Sequence, residues 1–183
     1  MNVVFVTGNV NKAKYFSELI GLPIEHQKAD IHEIQSLDLM EIVEHKAKEA
    51  FEQIKKPVIV EDASVTISTL GKLPGPLIKW FVEEIGLERI CRLADIDEDR
   101  SATASDAFAY YDGQTLTHFE GSLNGTIAKH PLGNGGYDWD KIFIPHYSKQ
   151  TLAEMDHEEY KIGHLKIKPI LEVKEFLESI DKK

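Results

Sequence analysis

Two short runs of apolar, β-branched residues, each next to a helical pattern, constrain the fold of this chain more than any other feature. Residues 3–6 read as a buried strand, and TGNVNK at 7–12 leads into a helical pattern that Gly21 ends. A second helical pattern covers residues 39–54 and feeds another buried strand at 58–60. This alternation of strands and helices predicts an α/β fold.

The later sequence changes character and predicts antiparallel strands. Strand-like residues 102–111 and 115–120 flank Asp112 and Gly113, a dipeptide that favours a tight hairpin turn. The glycine-rich stretch at 133–140 contains two aromatic residues and reads as a loop. Because no linker or repeat separates these regions, we expect the 183 residues to form one domain, or two lobes that share a core.

The composition narrows the classes of function. A formal net charge of -10 disfavours nucleic acid as a partner, because affinity for nucleic acid depends on a basic surface. The N-terminal residues show no basic segment followed by a long apolar run, so we expect a cytoplasmic protein that does not associate with a membrane. The single cysteine, Cys91, lies in a helical pattern and is expected to be a buried thiol.

Thr7, Gly8 and Asn9 lie between a predicted strand and a predicted helix, where backbone N–H groups and the helix dipole favour an anion. Lys12 adds a positive charge to this loop. The sequence lacks the second glycine and the Lys-Ser/Thr pair of a P-loop, so ordinary turn chemistry is the alternative to phosphate binding.

Two carboxylates, Glu61 and Asp62, directly follow the strand at 58–60, at the sheet edge where α/β proteins commonly bind ligands. Neighbouring residues on a strand point to opposite faces, so we expect only one of these side chains in a given site. Asp62 and the separate Glu33 could supply the one or two carboxylates that magnesium uses beside substrate phosphates. A solvated strand end is the alternative.

Aromatic residues in the glycine-rich loop are candidates for binding a nucleobase. Tyr137 and Trp139 flank Asp138 and precede Asp140. Such rings stack on a base while a carboxylate accepts hydrogen bonds from its edge. Packing in the core is the alternative for the two rings.

The lysines and histidines carry weaker signals. Lys46 lies on the polar side of its predicted helix, and Lys79 lies in the early turns of another, where most lysines are surface residues. The eight histidines show no spacing typical of a zinc site. His164, between Gly163 and Leu165, is the histidine most worth following.

Six segments together carry a resemblance that no single motif carries alone. In chain order they are TGNVNK, IHEIQ, VIVEDAS, LPGPLIKWF, GNGGYDWDKIFIP and TLAEM. In this order and at these spacings, which cover nearly the whole chain, the sequence resembles the inosine triphosphate pyrophosphatase (ITPase) family. Members of that family hydrolyse non-standard purine nucleoside triphosphates.

The resemblance implies a fold, a reaction and a cofactor. The implied fold is α/β, with an elongated mixed β-sheet and flanking helices, in two lobes with a central active-site cleft, all within one domain spanning 1–183. The implied protein is a homodimeric, Mg²⁺-dependent enzyme that cleaves ITP, dITP or XTP between the α and β phosphates and so cleans the nucleotide pool. A nucleotide-binding or regulatory module that has lost turnover is the alternative.

The resemblance also implies roles for individual residues. Asp62 would orient or deprotonate the attacking water, and Glu33 and Asp62 would hold magnesium. The residues that would bind the triphosphate or the base are Thr7, Gly8, Asn9, Lys12, Lys46, Ala63, Lys79, Tyr137, Asp138, Trp139, Asp140, Lys161 and His164.

The C-terminal motif departs from the family pattern. Members typically carry Ser-His-Arg, whereas this chain has Gly163, His164 and Leu165, and Asp138 stands in place of a usual glycine. The family's arginine helps to recognise the 6-oxo group of the base. Lys166, one place later, is a cation without a planar, bidentate guanidinium. We therefore expect pyrophosphohydrolase activity with altered base specificity.

Overall fold

Across residues 2–181, which are the residues that the structure describes, the computed structural model contains seven strands, six α-helices and three short 3₁₀ helices. The strands are β1 (Val4–Val6), β2 (Glu25–Gln27), β3 (Val58–Ile67), β4 (Pro74–Gly75), β5 (Ser101–Tyr111), β6 (Leu116–Ile127) and β7 (Phe143–Pro145). The α-helices are α1 (Val10–Ile20), α2 (Leu39–Ile54), α3 (Ile78–Glu84), α4 (Leu87–Leu93), α5 (His157–Ile167) and α6 (Ile170–Asp181).

The chain divides into two compact units, each assembled from separate stretches of sequence. The first unit comprises Met1–Asp62, Asp106–Glu120 and Pro169–Lys183, and the second comprises Ala63–Ser105 and Gly121–Lys168. Strands β3, β5 and β6 therefore contribute residues to both units. That residues 1–183 act as one domain stays a prediction.

The strands form one mixed sheet in the order β2-β1-β3-β5-β6-β7, with β4 paired to β3. Strand β1 is parallel to β2 and to β3, so that Val4 lies opposite both Glu25 and Val58. Strand β4 is antiparallel to β3, and β7 is antiparallel to β6. The predicted α/β class with a mixed sheet is confirmed.

The core of the first unit forms where α2 packs on β1 and β3. The helix begins at its N-cap Asp38, whose carboxylate accepts hydrogen bonds from the N–H groups of the first turn. Val43, Ala47 and Ala50 recur at helical period and are fully buried. The predicted end of α1 is also confirmed, because Gly21 caps it at φ 62° in the left-handed region.

The core of the second unit packs α3 and α4 against the second half of β3. Arg100 joins α4 to the sheet, because its guanidinium donates to the backbone carbonyls of Cys91, Ile127 and Ala128. The buried apolar residues of this core include Val65, Ile67, Ile78, Ile90, Cys91, Trp139, Phe143 and Leu152. No helix within residues 2–181 is both long enough and apolar enough to cross a membrane.

The predicted hairpin forms, and it is longer than the sequence indicated. Asp112 starts the turn, and its Oδ1 accepts hydrogen bonds from the N–H groups of Gln114 and Thr115. Strand β6 then runs to Ile127 rather than ending near residue 120. Strands β2 and β7 were not predicted, because each has only three residues and no alternating pattern.

The predicted burial of Cys91 is confirmed, and it generates a chemical prediction. The side chain is 0% exposed, and burial raises the pKa of its thiol to about 11. Since the thiolate is the nucleophile, we expect a disulfide reagent at pH 8 to leave the native protein unmodified and to label the unfolded protein completely. Labelling is monitored by absorbance, and rapid labelling of Cys91 in native buffer would contradict its burial.

Candidate active site

The loop between β1 and α1 is tightly organised by its own side chains. Thr7 Oγ1 accepts a hydrogen bond from the backbone N–H of Asn9 at 3.1 Å. Asn9 is the N-cap of α1, and its Oδ1 accepts from the N–H groups of Asn11 at 2.9 Å and Lys12 at 3.2 Å. Three N–H groups that could have faced an anion therefore already donate to side-chain oxygens.

The positive charge at this loop comes from lysines. The Lys12 side chain is 15% exposed, and its ammonium lies 3.8 Å from Glu61 Oε1 and 3.7 Å from Asp62 Oδ1. A Cβ built at Gly8 would lie 3.8 Å from Cε of Lys28, so the Lys28 stem passes beside this glycine. Lys28 directly follows β2, a strand that the sequence did not reveal, and so it was missed.

Asp62 lies between two lysines of the first unit. Its Oδ1 faces Lys12, and its Oδ2 accepts a hydrogen bond from the ammonium of Lys46 at 3.4 Å. The same ammonium donates to Glu33 Oε1 at 3.1 Å. We call Lys12, Glu33, Lys46, Glu61 and Asp62 the charge cluster; it holds three carboxylates and two ammonium groups.

The charge cluster keeps Lys46 protonated. Burial alone would lower the pKa of Lys46, but the attraction of the Asp62 and Glu33 carboxylates outweighs burial and raises the pKa above its usual value. The side chains of Lys46 and Asp62 are only 12% and 19% exposed, so solvent screens their interaction weakly. Four members of the cluster are therefore largely buried charges, and only Glu33, which is 53% exposed, faces solvent.

Two expectations about the carboxylates are wrong. Glu61 and Asp62 do not end a strand, because β3 continues through them to Ile67. They also do not exclude each other from one site, because the long side chain of Lys12 reaches within 4 Å of both. The extension of β3 was not predicted, because the polar residues after 60 break the apolar run that signals a buried strand.

Glu33 and Asp62 form a donor set suited to a hard divalent cation. Both present a carboxylate oxygen to the same positive charge, the ammonium of Lys46. Within residues 2–181, no three His, Cys, Asp or Glu side chains converge in a way that could hold a metal ion. Small hard cations commonly take one or two carboxylates and complete their shell with water and phosphate oxygens. The pair therefore fits a cation that arrives with a phosphate ligand.

A second group of predicted residues meets at Asp140 in the second unit. Asp140 is 1% exposed, and its Oδ2 accepts hydrogen bonds from the N–H of Tyr137 at 2.9 Å and from the Tyr160 hydroxyl at 2.7 Å. Its Oδ1 lies 3.4 Å from Nε2 of His164. Both oxygens face groups of their own unit, which favours a positioning role for Asp140 over direct contact with a base.

Aromatic rings surround His164, which is 1% exposed. The centroid of its ring lies 4.5 Å from that of Tyr160, 6.3 Å from that of Tyr137 and 6.4 Å from that of Trp139. The Tyr137 and His164 rings are nearly parallel, with 22° between their planes. The structure thus brings together Tyr137, Trp139, Asp140 and His164, four residues that the sequence had placed in two separate motifs.

Departures from the family pattern have structural consequences. Asp138, in place of the usual glycine, adopts φ 49° in the left-handed region, which aspartate tolerates better than most residues. Gly163, in place of the usual serine, is closely packed: an added Cβ would lie 2.7 Å from Leu152 Cδ2. The ammonium of Lys166 makes a cation–π contact with Tyr147, because it lies 5.0 Å from the centre of that ring.

The remaining candidates lie in the second unit and are less constrained. Ala63 lies on β3 and is half-buried. Lys79 is on α3 with 61% of its side chain exposed, 4.0 Å from Glu83 and 5.4 Å from the centre of the Trp80 ring. Lys161 is half-buried on α5, next to Tyr160. Sequence reasoning missed Tyr160 because α5 itself was not predicted.

The Tyr160 hydroxyl generates a stability prediction. Tyr160→Phe removes one donor from a buried carboxylate, so we expect the free energy of unfolding to fall by about 2 kcal/mol. Tyr111→Phe is the matched control, because its ring packs on Phe51 and its hydroxyl has no hydrogen-bond partner among residues 2–181. Urea denaturation measures both changes. Equal losses in the two variants would contradict the importance of the Tyr160 bond to Asp140.

Comparison with known proteins identifies the family of the chain. A sequence model of the Ham1 family matches residues 3–166. The inosine triphosphate pyrophosphatase of Batrachochytrium dendrobatidis is 39% identical over 183 residues, covering 97% of this chain and 95% of the relative. The dITP/XTP pyrophosphatase of Methanopyrus kandleri is 37% identical over 170 residues, covering 90% of each chain.

The structural comparison supports the fold. The Staphylococcus aureus Ham1 protein superposes with a TM-score of 0.81 at 20% sequence identity, covering 97% of this chain and 98% of the other. The predicted resemblance is therefore confirmed, and the chain belongs to the Ham1 family of inosine triphosphate pyrophosphatases.

Proposed function

We propose that this chain is a hydrolase that cleaves ITP, dITP and XTP between the α and β phosphates, releasing the nucleoside monophosphate and pyrophosphate. The names of its relatives support the reaction and the substrates. The observation that carries the proposal is the position of Asp62 between Lys12 and Lys46, with Glu33 on the same lysine. Such an enzyme would remove non-standard purines from the nucleotide pool.

The charge cluster supplies what this reaction needs. Hydrolysis of a phosphoanhydride depends mainly on positioning and charge neutralisation, with no covalent nucleophile. Lys12 and Lys46 bind phosphate oxygens, and Thr7, Gly8 and Asn9 shape the loop beside them. Lys79, in the second unit, is proposed as a phosphate ligand from the family resemblance alone. The carboxylate of Asp62 accepts a hydrogen bond from the attacking water and orients it, or takes its proton, as the water adds to the α phosphorus.

Mg²⁺ is the cofactor that we propose, held by Glu33 and Asp62. When bound, it neutralises the negative charge of the triphosphate oxygens. The two carboxylates fit this task, because both are oxygen donors and both lie within 3.4 Å of one ammonium group.

The base is bound by the second unit, at the aromatic residues around His164. Tyr137, which is half-buried, offers a face for stacking on the base. Trp139 and His164 are 7% and 1% exposed, so they support the Tyr137 ring from the core rather than present a free face. Asp140 holds His164 and Tyr137 in place, with Tyr160 as a further support. Ala63, Asp138 and Lys161 are peripheral members of the substrate site.

Base selectivity is the property that we propose to be altered. Leu165 stands where the family has an arginine, so a bidentate donor to the 6-oxo group is lost. Losing one charged donor to a base oxygen reduces discrimination by about 10- to 100-fold unless another group replaces it. Lys166 is the nearest cation in sequence, but it lies over the Tyr147 ring.

Three further properties belong to the proposal. The chain acts in the cytoplasm and forms a homodimer, as expected for the family. It does not bind nucleic acid, because a net charge of -10 repels a phosphate backbone. The intact charge cluster and the names of the relatives favour turnover over a binding or regulatory module without catalysis.

A panel of nucleotides tests both activity and base choice. With Mg²⁺ present, we expect pyrophosphate release from ITP, XTP and dITP. We also expect a kcat/KM ratio of ITP over ATP below about 100, because ATP has a 6-amino group and the arginine that reads the 6-oxo group is missing. dUTP serves as the pyrimidine control. No pyrophosphate from any nucleotide would defeat the proposed activity, whereas a strong ITP preference that survives Lys166→Ala would defeat the altered specificity.

A further inference from the structure

The segment between β2 and α2, residues 28–38, carries Glu33 but contains no helix or strand. Glu33 is 53% exposed, so core packing does not fix its position. A carboxylate that serves a metal or a phosphate site must nevertheless be held in a defined place. Some other feature of the first unit must therefore order this segment.

That feature is one face of α2. Three of its side chains, at positions 46, 49 and 53, share the face through i, i+3 and i+7 spacing. Each contacts a different residue of the segment. Lys46 bonds to Glu33, Glu49 bonds to His32, and the Gln53 side-chain amide donates to the carbonyl of Asp30 at 2.7 Å.

Glu49 makes the most restrictive of these contacts, because it holds both the backbone and the side chain of His32. Its Oε2 accepts a hydrogen bond from the His32 backbone N–H at 3.0 Å, and its Oε1 lies 2.8 Å from Nδ1 of the same residue. Two bonds to one residue fix both its position and its orientation. The next residue in the chain is Glu33.

We propose that Glu49 is a positioning residue that acts through His32 to place the Glu33 carboxylate beside Asp62. This inference rests on the proposed role of Glu33 in holding Mg²⁺. Glu49 itself touches neither substrate nor metal. It acts as the partners of metal ligands do elsewhere, where their loss typically weakens metal affinity or activity about 10- to 100-fold.

The contact between His32 and Glu49 is exposed, so its effect on the position of Glu33 can be measured apart from any effect on stability. The His32 side chain is 91% exposed and the Glu49 side chain is 22% exposed. Exposed ion pairs contribute little to folding. A variant without the Glu49 carboxylate should therefore keep its melting temperature while losing the placement of Glu33.

Three variants and one control test the proposal. Glu49→Ala removes both bonds to His32, whereas Glu49→Gln keeps an acceptor and should retain part of the effect. Glu33→Gln removes the ligand itself. Glu52→Ala is the matched control, because it removes the same charge from the same helix. Among residues 2–181, Glu52 pairs only with Lys55, at the surface.

The first readout is hydrogen–deuterium exchange of the His32 amide in protein without nucleotide or metal. We expect exchange to become about tenfold faster in Glu49→Ala, less so in Glu49→Gln, and unchanged in Glu52→Ala. This readout is independent of catalysis. Unchanged exchange in Glu49→Ala would overturn the proposal.

The second readout is the Mg²⁺ concentration that gives half-maximal pyrophosphate release from ITP. We expect it to rise about tenfold in Glu49→Ala. Because Glu49 works through Glu33, adding Glu49→Ala to Glu33→Gln should cause no further rise. Additive effects would overturn the proposal, as would a normal Mg²⁺ dependence in Glu49→Ala when Glu33→Gln is impaired. If Glu33→Gln itself behaves as the unaltered protein, the metal role of Glu33 is wrong, and the role of Glu49 is wrong with it.

Discussion

The interaction on which the proposed site depends is the pairing of Asp62 with two lysines from different helices. Lys12 comes from the first turn of α1, and Lys46 comes from the middle of α2. Both ammonium groups are largely buried, so each needs a negative partner close by. Strand β3 supplies that partner from its interior, and the packing of α2 on β1 and β3 keeps the charges together.

This pairing prepares the site for a polyphosphate. In the proposed reaction, a triphosphate would compete with the carboxylates for the lysines, and it would meet ammonium groups that are already protonated and oriented. The raised pKa of Lys46 keeps that residue charged throughout the physiological range. In the second unit, Asp140 holds two aromatic residues in place. One of its carboxylate oxygens contacts Tyr137, and the other contacts His164.

Much of this arrangement could be predicted from local patterns, and the remainder depended on contacts distant in sequence. The turn at Thr7–Asn9, the hairpin at Asp112 and the burial of Cys91 follow from periodicity and turn chemistry. The continuation of β3 through Glu61 and Asp62 could not be predicted in this way. Its residues are too polar to show a strand pattern, and the strands on either side of it, β1 and β5, are distant in sequence. The role of Tyr160 was also hidden, since its partner lies 20 residues away.

The most direct test of the central claim is the rate of Mg²⁺-dependent pyrophosphate release from ITP by Asp62→Asn. Asparagine keeps the size of the side chain but removes the charge that both lysines face and the proposed base for the attacking water. We expect the rate to fall by about 10²- to 10⁴-fold while circular dichroism shows a native fold. A rate close to that of the unaltered protein would contradict the central place given to Asp62.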